Sequence, residues 1–306
     1  MIGQTAAGGG EAAQGTSLTA AQFAAAAAGR RPVVTEQELE LVREDELPPD
    51  WWSTTVDCYS TESSYYELAQ YAHIASLKAS VDGFVADQLV ASAARAVLDV
   101  GVGDGHRLAR ICSLVEQRRG WAPQMFGIEL SDDMLVLARR RGVHAVKQDM
   151  REGLAKLGRE VDGIVFLSGD LGYLMDPRSG PELRRGILDS AHDLLPVGGR
   201  VVLELICRDP RTHPRGADIF HFSRRPTVRD EDGRDLFHGP ETWQYIKTFS
   251  RPEVVALIKD SRFDLGAASL RYVVRDSPDL GRLGMFTDDD DIVADESYRL
   301  LVALAK

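Results

Sequence analysis

An apolar run in the chain contains one acid, Asp99, and is followed by glycines at every second position, Gly101, Gly103 and Gly105. An apolar run that ends in glycines is typical of a buried strand whose turn passes close to a ligand, because glycine adopts conformations that other residues avoid. A dinucleotide-binding turn requires G-x-G-x-x-G, and His106 occupies the position of its third glycine. A carboxylate such as Asp99 suits a cationic group better than a pyrophosphate. The turn therefore predicts a ligand that carries positive charge and no phosphate.

Two further strand-like segments also end in acids, at Glu129 and at Asp149. In an open α/β sheet, ligands bind at the carboxyl ends of the strands, so we expect both acids beside the glycine turn. A carboxylate at the end of the second strand can accept hydrogen bonds from both hydroxyls of a ribose, which predicts that Glu129 holds a ribose. A ribose, a cationic group and no phosphate point to S-adenosylmethionine (SAM), which carries an ammonium and a sulfonium.

Taken in order, these segments resemble the class I SAM-dependent methyltransferases. The resemblance covers the strand and glycine turn at 97–105 and the strands at 125–130, 143–150 and 161–167. It continues through a Pro-Val-Gly-Gly turn into a fifth strand at 195–204. It implies an α/β fold with a doubly wound, seven-stranded, Rossmann-like sheet and an antiparallel last strand.

The resemblance also implies which residues bind SAM. In the family, an acid at the end of the third strand accepts a hydrogen bond from the adenine amino group, which assigns Asp149 to the base. Tyr66 lies in a segment that resembles the tyrosine-bearing segment covering SAM in small-molecule N-methyltransferases, although half-buried packing is an alternative for it. The implied cofactor-binding residues are Asp99, Gly101, Gly103, Gly105, Glu129, Leu130, Asp149, Met150, Leu167, Ser168 and Tyr66.

The turn after the fourth strand carries the candidate catalytic residues Asp170 and Tyr173. This turn resembles the one in glycine N-methyltransferase-like enzymes and amino-sugar N-methyltransferases, where small polar groups face the methyl group. An amine acceptor needs only to be neutral and oriented by a carboxylate, whereas a hydroxyl acceptor needs a base, usually histidine. His221 and His238 are candidates for that base, with ordinary surface or packing roles as the alternative. Methylation of nitrogen and of oxygen both stay open.

Composition restricts the partners and the location. The chain has 306 residues, 44% of them hydrophobic, which is enough for one α/β domain with a full core. Its formal net charge of −11 argues against a nucleic-acid partner, because phosphate binding needs a basic surface. No segment has the pattern of a signal peptide or of a membrane-spanning helix, so we expect a cytoplasmic protein without a membrane partner. A homodimer is compatible with the sequence.

Metal binding and disulfide bonds are not expected. The three cysteines are far apart and odd in number, which supports neither a disulfide framework nor a zinc site. The four acids at 288–291 lack the regular spacing of a Ca²⁺ loop, so we interpret them as a solvated loop.

Composition also predicts three regions. Residues 1–31 are rich in Ala, Gly, Gln and Thr, which cannot bury enough apolar surface to order the chain, so we expect a disordered tail. Residues 32–60 are expected to be a linker or entry segment, with residues 48–52 marking the entry into ordered structure. Residues 61–306 are expected to be the methyltransferase domain, which begins with a helical segment. Residues 209–249 are rich in aromatic side chains and are predicted to form a β-rich flap over the methyl acceptor.

Three functions are compatible with these features. The leading interpretation is an enzyme that transfers a methyl group from SAM to nitrogen or oxygen of a small molecule, in specialised metabolism. A protein or RNA methyltransferase is the second interpretation, and a non-catalytic SAM-binding subunit is the third. The flap and the helical segment favour the first, because together they would enclose a small acceptor.

Overall fold

The computed structural model describes residues 16–27, 33–66, 78–154, 158, 160–207, 217–275, 283–287 and 299–306. In chain order, its strands are β1 (Thr16–Ser17), β2 (Val33–Arg43), β3 (Ala96–Val100), β4 (Gln124–Glu129), β5 (His144–Lys147), β6 (Gly163–Phe166), β7 (Arg200–Ile206), β8 (Ala217–Arg229), β9 (Asp235–His238), β10 (Thr242–Lys247), β11 (Ser269–Arg275), β12 (Leu283–Thr287) and β13 (Arg299–Ala305). Its α-helices are α1 (Ala20–Ala26), α2 (Trp51–Tyr66), α3 (Ala79–Ala91), α4 (His106–Arg119), α5 (Asp132–Arg140), α6 (Gly180–Leu194) and α7 (Arg251–Asp260).

The main sheet has the strand order β12-β11-β13-β7-β6-β3-β4-β5. The five strands from β7 to β5 are parallel, and β13 is antiparallel to both β7 and β11. This confirms the predicted doubly wound sheet with an antiparallel last strand. The structure adds an eighth strand, β12, which pairs with β11 at the edge.

Apolar cores cover both faces of this sheet, which explains why its central strands are apolar nearly throughout. In β3, Leu98 and Val100 face a core shared with α6 and α7. Val97 faces the opposite core, formed with α3, α4 and α5. Helices on both faces therefore fix the central strands, and their carboxyl ends form one edge at which the predicted site residues lie.

A second, smaller sheet is built around β8. β2 runs antiparallel along one side of β8, and β9 and β10 pair antiparallel with the other side. The prediction of β structure within residues 209–249 is confirmed. A linker is not what residues 33–43 form, because they are β2, whereas α2 begins at Trp51, where the sequence predicts an entry into ordered structure. The partner of β2, β8, lies far away in the sequence, so local composition could not reveal the pairing.

The tail prediction also fails for residues 16–27. They form β1, which pairs with β9, and α1, whose first turn has Thr19 and Gln22 in a capping box. Phe23 of α1 is fully buried and packs edge-to-face on Phe237, with ring centroids 5.7 Å apart. One aromatic anchor thus orders a segment whose average composition predicts disorder.

Among the helices of the described ranges, none combines the length and the apolar character needed to cross a membrane.

Removing the Phe23 side chain should destabilise the folded protein. Phe23→Ala would leave a cavity against Met134 and Val228, at an expected cost of about 3 kcal/mol in free energy of unfolding. Denaturant titration followed by circular dichroism measures this cost, and Ala25→Ser on the exposed side of the same helix is the control. Equal stability of Phe23→Ala and the parent would show that α1 does not dock in solution.

Candidate functional site

A pocket opens at the carboxyl ends of β3, β4 and β6. This is the edge at which ligands bind in open α/β sheets. The described residues that line it are Trp52, Thr55, Val56, Tyr59, Gly101, Gly103, Ile128, Glu129, Leu130, Ser131, Gln148, Met150, Asp170 and Tyr173. The predicted residues Gly101, Gly103, Glu129, Leu130, Met150, Asp170 and Tyr173 are therefore brought together.

The glycine turn is shaped as its spacing predicts. Gly101, Gly103 and Gly105 have φ angles of +83°, +54° and +76°, which other residues rarely adopt. A Cβ on Gly101 would lie only 2.9 Å from Cγ of Asp170, so the backbone packs directly on that carboxyl group. Gly105 serves packing instead, since a Cβ there would lie 3.0 Å from Cα of Ala138.

Glu129 closes the turn from the side of β4. Its carboxylate accepts hydrogen bonds from the backbone N–H groups of Gly103 at 2.9 Å, Leu130 at 2.7 Å and Ser131 at 2.9 Å. These three bonds fix the carboxylate at the pocket wall. A carboxylate has about four acceptor positions, so one remains for a ligand hydroxyl.

Asp99 and Asp170 form a pair of buried acids beside Gly101. Asp99 lies behind the glycine turn, and Asp170 lines the pocket. One oxygen of each, Oδ1 of Asp99 and Oδ2 of Asp170, has no hydrogen-bond partner within the part of the chain that the structure describes. Burial raises the pKa of Asp99 to about 8, and burial together with the charge of Asp99 raises the pKa of Asp170 well above its usual range. Such a pair attracts a cationic ligand group.

Glu204 of β7 is also buried but, unlike Asp99 and Asp170, it is surrounded by cationic side chains. It is bound by Arg107 of α4 and by Lys78, whose Nζ lies 3.2 Å from Oε1. Burial alone would raise its pKa, but Arg107, Lys78 and Arg299 hold the pKa of Glu204 well below its usual range. This buried ion pair was not predicted from the sequence, although a single acid inside the apolar run of β7 was the available signal.

Glu204 holds the turn that follows β6. Oε2 of Glu204 accepts a hydrogen bond of 2.8 Å from the backbone N–H of Ser168. Ser168 has a φ of +59°, which is unfavourable for a residue with a side chain. Its hydroxyl accepts hydrogen bonds from Lys78 at 3.0 Å and from Arg107 at 3.1 Å. Ser168 is thus an anchor of the turn and lies outside the pocket lining, as does the buried Leu167.

The Asp149 carboxylate is engaged by a neighbour in the structure. Nε and Nη2 of Arg151 lie 2.9 and 2.5 Å from its Oδ2, and Asp149 is not among the described lining residues. The residues on either side of it, Gln148 and Met150, do line the pocket. The guanidinium of Arg151 also lies 3.8 Å from the centre of a Trp52 ring, so this ion pair supports the wall formed by α2.

The two candidate histidines lie away from the pocket lining. His221 stacks on Tyr245 with ring centroids 4.2 Å apart, and its Nδ1 lies 3.3 Å from Oε1 of Glu40. Nδ1 of His238 lies 3.0 Å from the hydroxyl of Thr227. Both are held by cross-strand neighbours in the small sheet, so their environment is that of packing residues.

Residues of α2 form one wall of the pocket, here called the α2 wall, and most of them were not predicted from the sequence. Trp52, Thr55, Val56 and Tyr59 are spaced as one face of a helix, and this spacing was the available signal. Tyr66 lies in the last turn of α2, and its side chain lies outside the described residues.

Comparison with solved structures identifies the fold. CalS10, an amino pentose methyltransferase from Micromonospora echinaspora solved with bound SAM, aligns with 79% of this chain and 96% of its own, at 23% identity and a TM-score of 0.53. DesVI of Streptomyces venezuelae aligns with 80% of this chain and 98% of its own, at 22% identity and a TM-score of 0.53. KedS8, a sugar N-methyltransferase from a Streptoalloteichus species, aligns with 79% of this chain and 91% of its own, at 18% identity and a TM-score of 0.51.

At these identities the alignments establish a shared fold, and the chain therefore has the fold of SAM-dependent methyltransferases. The sequence itself matches no protein-family model and no curated protein.

Glu129 should contribute to SAM affinity. Glu129→Gln keeps the size of the side chain but removes the negative charge and one acceptor oxygen. A lost hydrogen bond to a charged group costs about 1.5–3 kcal/mol, so the dissociation constant should rise by about tenfold to a hundredfold. Isothermal calorimetry with SAM measures it, and Glu116→Gln on the exposed face of α4 is the control. An unchanged constant in folded Glu129→Gln would exclude the ribose contact.

Binding of a cationic ligand should release a proton from the acid pair. With a pKa of about 8, Asp99 is mostly protonated at pH 7. A ligand ammonium favours the ionised pair and lowers its pKa, so affinity should rise as the pH increases from about 6 to 8. The binding enthalpy of S-adenosylhomocysteine at pH 7 should then differ between phosphate and Tris, which have different ionisation enthalpies. Asp99→Asn should reduce this difference. Equal enthalpies in both buffers for the parent protein would contradict proton release.

Proposed function

We propose that this protein transfers a methyl group from SAM to a nitrogen atom of a small molecule. The observation that carries the proposal is the position of Asp170. Its buried carboxylate lines the pocket beside the glycine turn, has an oxygen without a partner among the described residues, and lies close to the α2 wall. The acids of the described lining are Asp170 and Glu129, and Glu129 is already held by three backbone N–H groups, so Asp170 is the acid placed to orient an amine.

The residues of the pocket fit SAM. Asp99, beside the glycine turn, matches its cationic methionine part, and Glu129 matches its ribose. Trp52 and Met150 supply apolar and aromatic surface for its base. When bound, SAM supplies a methyl group activated by the positive charge of its sulfonium.

The protein's own contribution is binding, orientation and exclusion of water. Asp170 receives the amine of the acceptor and takes up the proton that the nitrogen must lose. In its ionised form, which a cationic ligand favours, the carboxylate can accept that proton. The α2 wall covers one side of the pocket and excludes water there.

Two structurally similar proteins support a small polar acceptor, since CalS10 is an amino pentose methyltransferase and KedS8 is a sugar N-methyltransferase. We infer a reaction of specialised metabolism in the cytoplasm. The net charge of −11 supports a small-molecule acceptor over a nucleic acid. Residues 209–249 would form the flap of the catalytic domain, which begins before residue 61, because Trp52, Thr55 and Tyr59 line the pocket.

Asp170→Asn should remove most of the turnover without removing the cofactor. We expect the turnover number to fall by about 10²–10⁴, the scale of general-base catalysis, because the amide cannot take up a proton. The rate with labelled SAM and a panel of primary and secondary amines measures the effect, and the SAM dissociation constant measures retention of the site. Asp133→Asn, exposed on α5, is the control. Full turnover of Asp170→Asn would exclude this role.

A further inference from the structure

Three side chains from distant parts of the chain meet beside Asp170. They are Tyr59 of α2, Tyr173 of the turn after β6, and Gln244 of β10 in the small sheet. The two hydroxyl oxygens lie 2.5 Å apart, and the Tyr173 hydroxyl donates a hydrogen bond of 2.7 Å to Oε1 of Gln244. The Tyr59 hydroxyl also lies 3.3 Å from that oxygen. The rings meet edge-to-face, with centroids 6.0 Å apart.

The hydrogen bonds of this cluster are incomplete. In the order Tyr59 to Tyr173 to Gln244, both hydroxyl protons are used, but the oxygen of Tyr59 keeps acceptor capacity. Gln244 is fully buried, and its amide nitrogen has no hydrogen-bond partner in the described part of the chain. Turning the amide by 180° would only exchange which of its ends lacks a partner. Of these incomplete groups, the Tyr59 oxygen belongs to a residue that lines the pocket, so a ligand can complete its hydrogen bonding.

The cluster faces the pocket through its two tyrosines. Tyr59 and Tyr173 line it together with Asp170, which belongs to the same short turn as Tyr173. Burial raises the pKa of both phenols, so they remain neutral hydroxyls at physiological pH. Neutral hydroxyls bind and orient a ligand group and do not act as bases. Their position beside Asp170 is where the part of an acceptor next to its amine would lie.

We propose that Tyr59 and Tyr173, positioned by Gln244, form a subsite that binds a hydroxyl group of the methyl acceptor, next to the amine received by Asp170. The subsite rests on the proposed amine methylation and adds a determinant of specificity to it. A hydroxyl fits because its proton can be donated to the acceptor position left on the Tyr59 oxygen, whose own proton is used within the cluster. A carboxylate has no proton to donate and would be repelled by Asp170.

Gln244 is a positioning residue in this arrangement. It lies behind the tyrosines and does not line the pocket itself, so it acts on the acceptor through their hydroxyls. Its side chain makes polar contacts from β10 to both pocket tyrosines. The small sheet thus affects acceptor choice through β10, and the histidines proposed from the sequence are not needed for it.

The subsite is tested with two probes that differ by one hydroxyl, trans-2-aminocyclohexanol and cyclohexylamine. Their dissociation constants are measured by calorimetry on the protein saturated with S-adenosylhomocysteine, and their kcat/KM values with saturating SAM. We expect the parent to prefer the amino alcohol by about tenfold in both measurements, as one or two neutral hydrogen bonds would give. Tyr59→Phe and Tyr173→Phe should reduce the preference to about one, with cyclohexylamine binding unchanged.

Gln244→Leu should lower the preference in the same direction, because the tyrosines lose the group that orients them. Tyr245→Phe is the matched control: it removes a phenol oxygen from the next residue of β10, which stacks on His221 outside the pocket lining, and should keep the full preference. Thermal melting shows that each variant is folded.

Equal preference in the parent and in both Phe variants would overturn the subsite, as would a parent that binds neither probe while it binds S-adenosylhomocysteine. Failure to bind S-adenosylhomocysteine or SAM at all would instead contradict the proposed function.

Discussion

The candidate site depends on the ion pair between Glu204 and Arg107, buried at the junction of β7 and α4. Glu204 is completely buried, and a carboxylate there is tolerated only because cations surround it. The same carboxylate fixes the N–H of Ser168 and so holds a left-handed residue at the end of β6. Asp170 and Tyr173 follow directly on this turn. The ion pair therefore helps to fix both residues beside the glycine turn.

Glu204 differs from the acid pair of Asp99 and Asp170 in whether the protein itself supplies cationic partners. Glu204 has its cations within the protein, and its pKa is held low. Asp99 and Asp170 are equally buried but are left with oxygens that no described residue satisfies, and their pKa values are raised. A protein that keeps two acids in this state loses stability at neutral pH. A bound cation can recover this loss, so the arrangement favours ligands with positive charge near Gly101.

Local patterns predicted the features that depend on neighbours in sequence. The strand before Gly101, the position of Glu129 at a strand end and the β structure around 217–247 follow from runs and turns within a few residues of one another. The pairing of β2 with β8 could not be predicted in this way, because it depends on a strand far away in the sequence. The same holds for the histidines, since only the cross-strand register shows that His221 lies opposite Tyr245 and away from the pocket.

The small sheet contributes to the site as a fixed wall. A Cβ on Gly172 would lie 2.6 Å from the carbonyl oxygen of Lys247, and one on Gly169 would lie 3.2 Å from Cδ1 of Ile246. Two glycines in the turn after β6 therefore allow β10 to pack directly on the segment that carries Asp170. Because backbone packs on backbone here, β10 cannot move without moving the turn. The side of the pocket near Asp170 is therefore fixed by the way the two sheets pack together.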